Sequence, residues 1–304
     1  MPQMSQLVVA HGGVDMPEDE LTFAVLGQAC EAATVGGDTV DSVVNGLGVL
    51  EADPLFNAGY GAVLTADGTV EVDAAVVDGG SGSYGAVGAA PGLAHPAAVA
   101  AAVLRTGGPV LLAGPGAAAF ARSIGHDQSD LRTEEQLLAL RHFQNGVSAS
   151  PFTGRAAPST ETVGCIVVGD TAAAGSSTGG VCGKHAGRIG DSAILGAGLW
   201  ADGTSAVVCS GAGEAMISLS LARRTGERMA KGESPQNAAR WAVRSAAEER
   251  GAVAAVLAVN TSDLTVAAVH NGSSFPVVAR SQDGQWIVES ERLEGLRRVR
   301  SRRY

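Results

Sequence analysis

Helix-like and strand-like patterns fall into blocks along this 304-residue chain, and the block order repeats in its two halves. Residues 5–10 read as a first strand that ends in His11-Gly12-Gly13. Two helical patterns follow at 18–33 and 39–50, separated by Gly36-Gly37-Asp38. From Phe56 to Gly88 the pattern changes to short β-like pieces, clearest at 70–77 between two turn signals. Residues 96–105 predict a helix with proline in its first turn, and 134–143 another. In the second half, 163–168 and 206–209 predict strands, and 215–230 and 235–250 predict helices. Strands at 253–259, 264–269 and 275–279 follow, with a fourth at 285–288. Blocks joined by short connections argue for antiparallel sheets covered by helix pairs, and against a doubly wound βαβ sheet. There is no internal repeat.

The side chains available set how such layers can pack. Glycine is abundant (42 residues), aromatic residues make up 4%, and alanine and valine carry most of the apolar surface. A core of that kind needs closely approaching strands and small-residue helices. A net charge of −10 argues against a nucleic-acid partner, which would require clustered Lys and Arg. The exception is the terminal cluster Arg292, Arg297, Arg298, Arg300, Arg302 and Arg303, which reads as a solvated tail. Cys30, Cys165, Cys182 and Cys209 form neither CxxC nor zinc spacing, as expected of reduced buried thiols. No stretch has the length of a membrane span and none resembles a secretory signal, so a cytoplasmic protein without membrane contact is expected.

Three candidate chemistries compete. Gly114-Pro115-Gly116-Ala117-Ala118-Ala119 fits a dinucleotide-binding pattern, but a plain strand–turn–helix corner explains it as well. The six histidines are scattered and no GxSxG elbow is present, so spacing draws no hydrolase triad and no metal site. The third candidate is the segment 162–214. There residues 145–160, rich in Ser, Thr, Pro, Ala and Gly, give way abruptly to a strand-like run after Thr162. Beyond it stand Ser177-Thr178-Gly179-Gly180, Gly187-Arg188-Ile189-Gly190-Asp191-Ser192 and Ser210-Gly211-Ala212-Gly213-Glu214. Arginine and aspartate three residues apart in a glycine-rich turn can clamp the carboxylate and ammonium of an amino acid. A structural ion pair is the competing reading.

In order and spacing these motifs resemble the isoaspartyl peptidase/L-asparaginase family, the plant-type asparaginases. Pro54-Leu55-Phe56-Asn57-Ala58-Gly59, Val70-Glu71-Val72-Asp73-Ala74 and the stretch 110–121 are also similar, so the resemblance covers nearly the whole chain. It implies an α+β fold, the four-layer αββα sandwich of N-terminal-nucleophile hydrolases. It also implies self-cleavage between Glu161 and Thr162. Residues 1–161 would form an α-subunit ending in a processing linker at about 145–161, and 162–304 a β-subunit, assembled as (αβ)₂. Thr162 would be the nucleophile, with its freed α-amine, whose ordinary pKa is near 8, as base. Thr178 would bond around the nucleophile, Asn57 would lie nearby, and Ser210 and Gly211 would form the oxyanion hole. Arg188, Asp191 and Gly213 would hold the substrate's α-carboxylate and α-ammonium. The expected substrates are β-aspartyl peptides and L-asparagine. No cofactor is implied beyond a structural sodium ion, held by backbone carbonyls of the loop 49–57 around Leu50, Glu51 and Phe56.

Four positions depart from the family pattern. Glu161 stands where glycine or aspartate is usual, and Ser210 where threonine is usual. Val14 replaces a small residue, and Ala212 brings no polar side chain. Two other readings remain: the same mechanism on glycosylasparagine or a specialised β-aspartyl amide, or an uncleaved relative that binds an aspartyl metabolite without catalysis.

Overall fold

The protein is described by a computed structural model covering residues 6–146 and 161–296. The processing linker from 147 to 160 and the arginines from 297 onward lie outside the described residues.

In chain order the elements begin with β1 (Leu7–His11), α1 (Glu20–Ala32), α2 (Thr39–Ala52), β2 (Glu71–Asp78) and β3 (Tyr84–Pro91). Then come α3 (Pro96–Arg105), β4 (Leu111–Ala113), α4 (Gly114–Ser123) and α5 (Glu134–Gln144). The second half carries β5 (Val163–Val168), β6 (Ala172–Thr178), β7 (Leu199–Ala201), β8 (Ser205–Gly211), α6 (Gly213–Leu219) and α7 (Leu221–Ala230). It closes with α8 (Pro235–Arg250), β9 (Ala254–Asn260), β10 (Val266–His270), β11 (Val277–Ser281), β12 (Gly284–Ile287) and β13 (Glu291–Arg292).

Local chemistry fixes the helix ends. The Asp19 carboxylate accepts the Thr22 amide at 2.8 Å, and Asp38 accepts that of Asp41 at 2.7 Å. Thr133 and Gln136 form a reciprocal capping box. Ser234 caps α8, Pro235 opens it, and Gly251 ends it in the left-handed conformation.

The strands form two sheets, one ordered β12-β11-β1-β5-β6-β2-β3-β4 and one ordered β13-β10-β9-β8-β7. The central strands of both sheets are buried on both faces, side chains alternating between two cores, while the edge strand β12 is exposed. On β5, Val163, Cys165 and Val167 face Leu26, Leu47 and Leu50 of α1 and α2, while Ile166 and Val168 face the other sheet. On β8, Ala206 and Val208 join that inter-sheet core, while Val207 and Cys209 meet Leu221, Ala239 and Val243 of α7 and α8. The chain thus makes a mixed α+β fold.

Two sequence expectations need correction. The helix expected over 215–230 is broken at Ser220, whose φ of +49° ends α6 before α7 begins. Strand β4 runs parallel to β3 across α3, a single crossover within an otherwise largely antiparallel sheet. Strand β6, with sequence AAAGSST, was not foreseen as a strand, because Ala, Gly and Ser have little β preference and no period-2 signal.

Candidate active site

Strand pairing builds the first part of the site. β5 and β6 are antiparallel with Val163 opposite Ser177, so the start of β5 lies beside Thr178 at the end of β6. The Thr178 hydroxyl donates to the Glu161 carbonyl at 3.0 Å, and the Asn57 amide Nδ2 donates to the same oxygen at 3.1 Å. Nδ2 also donates to the Gly180 carbonyl at 2.7 Å, and Oδ1 accepts the Val63 amide at 3.0 Å, so its partners fix the Asn57 orientation. Gly180 N in turn donates to Thr178 Oγ1 at 2.9 Å. The peptide carbonyl just before Thr162 therefore sits between two aimed donors.

Thr162 itself is 3% exposed. Its hydroxyl accepts from Ser192 Oγ at 3.5 Å, and neither a histidine nor a carboxylate is among its hydrogen-bond partners. Its backbone N–H donates to Ser210 Oγ at 3.3 Å, and Val14 N donates to the same oxygen at 3.0 Å. With both lone pairs engaged, the Ser210 hydroxyl keeps its own proton to donate. Gly211, the last residue of β8, lines the pocket beside Thr162.

The charged part of the site comes from the turn after β6. Thr162, Thr178, Gly180, Val181, Arg188, Asp191 and Gly211 line one small pocket. Arg188 donates through Nε to Glu214 Oε1 at 2.9 Å, and its Nη2 forms an ion pair with the same oxygen at 2.8 Å. The Arg188 side chain is 16% exposed and that of Glu214 is 71%, so the guanidinium is tucked inside and its partner stands at the rim. Asp191 is buried, and its Oδ2 lacks a hydrogen-bond partner. Burial pushes its carboxyl up to about 7; Arg188 pulls it back down, and Asp73 and Glu214 push it further up. Gly213 opens α6 beside this pair, and a Cβ there would lie 2.8 Å from Asp191 Oδ1 and 3.0 Å from Arg188 Nη2. A fixed cation next to a buried carboxylate with an unmet acceptor can receive a zwitterionic α-amino acid group.

The structure thus brings Asn57, Glu161, Thr162, Thr178, Arg188, Asp191, Ser210, Gly211 and Gly213 into one place from five separate stretches of sequence. Sequence reasoning quoted Ser192, Glu71, Asp73 and Glu214 within motifs but gave them no task, and it passed over Lys184. Nothing in spacing brings strand β2 to the 187–191 turn. Around the end of α2 the chain folds tightly: the carbonyl oxygens of Glu51 and Ala94 crowd Gly59, and those of Pro54 and Phe56 crowd Gly61. The Glu51 side chain faces the other way and is fully buried, accepting from Ser177 Oγ at 2.7 Å and Ala97 N at 3.0 Å.

The stretch 110–121 forms β4 and the start of α4, a strand–turn–helix corner. The four cysteines are free and buried. No helix among the described residues is long and apolar enough to cross a membrane.

The chain is similar to proteins of a known family. The sequence model of a family described as asparaginase matches residues 9–288. The chain is 36% identical to the plant-type L-asparaginase of Pyrococcus furiosus over 268 residues, covering 80% of this chain and 86% of that protein. It is 32% identical to the isoaspartyl peptidase/L-asparaginase of Xenopus laevis over 299 residues, 92% of this chain and 94% of the relative. It is 42% identical to the isoaspartyl peptidase of Salmonella typhimurium over 196 residues, 60% of this chain and 61% of that one.

Proposed function

The chain belongs to the asparaginase family, and from that premise we propose that it is a self-processing hydrolase of β-aspartyl peptides and L-asparagine. The observation that carries the reading is the Glu161 carbonyl, held by Asn57 Nδ2 and Thr178 Oγ1 beside a buried threonine that has no side-chain base.

In the uncut chain the Thr162 hydroxyl attacks the Glu161 carbonyl carbon. The charge that develops on the carbonyl oxygen is met by the two donors already aimed at it. The C–N bond breaks and the acyl group passes from nitrogen to oxygen. Water then hydrolyses the resulting ester, leaving a Glu161 carboxylate and a free Thr162 α-amine. Chain 1–161 becomes the α-subunit and 162–304 the β-subunit of an (αβ)₂ assembly.

The freed amine supplies the base that the uncut site lacks. With an ordinary pKa near 8 it takes the proton of its own hydroxyl as Thr162 attacks the substrate's side-chain carbonyl. The Ser210 hydroxyl and Gly211 stabilise the new oxyanion. Arg188 holds the substrate's α-carboxylate and displaces Glu214 to do so, while Asp191 holds the α-ammonium and Gly213 leaves room beside them. The amine or ammonia departs with a proton, and water releases L-aspartate from the threonine ester. A sodium ion held by main-chain oxygens of the loop through Leu50, Glu51 and Phe56 belongs to the same reading, where it would brace the loop that presents Asn57. The four-layer αββα arrangement does too. It is supported by the three apolar clusters between helices and sheet, sheet and sheet, and sheet and helices. A cytoplasmic location also remains part of the proposal.

The test is a comparison of substrates. The cleaved protein should release ammonia from L-asparagine and the free amino acid from a β-aspartyl dipeptide, leaving the α-linked isomer intact. A fully cleaved sample that hydrolyses neither would refute the reading. Asn57→Ala should slow self-cleavage by about 10²–10³-fold, the usual effect of losing one oxyanion donor, as followed by the disappearance of full-length chain on a gel.

A further inference from the structure

Arg188 and Asp191 sit in a glycine-rich turn, which has no rigidity of its own, so something outside it must fix the clamp. Strand β2 supplies two carboxylates that do so. Glu71 Oε2 accepts the Gly187 amide at 2.7 Å, and Asp73 Oδ2 accepts the Gly190 amide at 2.8 Å. These two amides bracket Arg188 and immediately precede Asp191. Residues 71 and 73 share one side of β2 because side chains alternate, and a register shift at this point of the β2–β3 pair frees Asp73 from the regular pattern.

Asp73 is fully buried and fully used: its Oδ1 accepts the amide of Ala89 at 2.7 Å, a residue held at a left-handed φ of +44°. Lys184, 4% exposed, counters its charge and donates through Nζ to the Glu71 carbonyl at 2.8 Å. Lys184 Nζ and Arg188 Nη1 both approach Gly180, at 3.0 and 3.2 Å from where its Cβ would stand. Arg188 Nη1 also lies 2.8 Å from the corresponding point of Gly190, with Asp73 Oδ2 at 3.5 Å. So Asp73 is the buried counter-charge to both cations behind the pocket.

We propose that Glu71 and Asp73 are positioning residues for substrate recognition: they hold the Gly187–Gly190 turn by its two end amides, so that Arg188 and Asp191 face the substrate together. The proposal rests on the hydrolase reading above and extends it across the cut, because both carboxylates belong to the part before Thr162 and both clamp residues to the part after it. Neither carboxylate touches the Glu161 carbonyl, so self-cleavage should not need them.

Asp73 has a second effect. The charged groups facing Asp191 are Arg188, Asp73 and Glu214, with the Cys209 thiol beside it on β8 and the Thr162 amine across the pocket after cleavage. Asp73 raises the Asp191 carboxyl and Arg188 lowers it. Asp191 must be ionised to hold an ammonium, and with a carboxyl near 7 it is protonated, and binds poorly, below that pH. Removing the Asp73 charge should therefore move the acid limb of L-aspartate binding, which does not need the catalytic amine as base, to lower pH.

The experiment compares wild type, Asp73→Asn and Glu71→Ala after complete self-cleavage, with L-asparagine as substrate. Each variant loses one charge-assisted amide bond, so KM should rise by about 10-fold or more while kcat stays within about 3-fold. The acid limb of L-aspartate affinity, measured by titration across pH, should shift downward in Asp73→Asn and stay in place in Glu71→Ala. Unchanged KM in both variants, or a fall in kcat with KM unchanged, would overturn the proposal. If Asp73→Asn does not fold, Glu71→Ala alone decides through the same split of KM from kcat. Wild-type hydrolysis, measured in parallel, separates failure of this proposal from failure of the functional reading.

Discussion

Thr162→Ala should give a single uncut chain with no measurable hydrolysis of L-asparagine, a loss of about 10⁴-fold or more, as when other hydrolases lose their nucleophile. The loss is twofold in origin. Without the hydroxyl nothing attacks the Glu161 carbonyl, so the α-amine that would serve as base is never freed. The pocket should survive the change: Asn57 and Thr178 bond to the backbone carbonyl of Glu161, and Ser210 bonds to the backbone nitrogen at 162, which alanine keeps. Unfolding temperature should accordingly stay near that of the uncut wild type. Thr162→Ser keeps the hydroxyl and should still cut and hydrolyse, more slowly because serine lacks the branched carbon that restricts the rotamer. Hydrolysis of L-asparagine by a Thr162→Ala chain would exclude the threonine mechanism.

Arg188→Ala should leave self-cleavage intact and raise KM for L-asparagine on the order of 100-fold or more, since charge-assisted bonds to a carboxylate contribute about 1.5–3 kcal/mol each. Two arms of the clamp fail together. The substrate carboxylate loses its guanidinium, and Asp191 loses the cation that holds its carboxyl down, so more of it is protonated at neutral pH. Glu214 is largely exposed, and stranding it costs the fold little. Arg188→Lys restores the charge without the planar fork and should recover only part of the binding. Steady-state kinetics on the cleaved variant gives KM and kcat, and gel analysis gives the processing rate. Loss of processing equal to the loss of binding would make Arg188 a structural residue instead.

How much of this was legible in sequence depended on range. Helices with a clear apolar period and a proline or a hydroxyl or acidic cap, such as α3 and α8, could be placed nearly to the residue. So could strands of β-branched residues such as β5. Strand β6 could not, because its alanines and serines carry neither propensity nor alternation, although it ends on Thr178. The break at Ser220 left no trace either, since serine is an ordinary residue within a helical pattern.

At the site, the family resemblance of the motifs, not their spacing alone, pointed to Thr162, Thr178, Arg188, Asp191 and Ser210. What spacing could not supply was contact across the fold. Glu71 and Asp73 meet the turn at Gly187 and Gly190 through 116 and 117 residues of intervening chain. Val14 reaches Ser210 across 196. Such contacts are set by sheet order, and sheet order depends on long-range pairing that no local pattern encodes.

The most direct measurement is an intact-mass spectrum of the purified wild-type protein, followed over time after synthesis. The account predicts that the full-length mass gives way to two fragments, one ending at Glu161 and one beginning at Thr162, with the sum of the two exceeding the precursor by one water. A single full-length mass that persists through long incubation, in a sample that nonetheless binds L-aspartate, would contradict it and leave an uncleaved binding protein in its place.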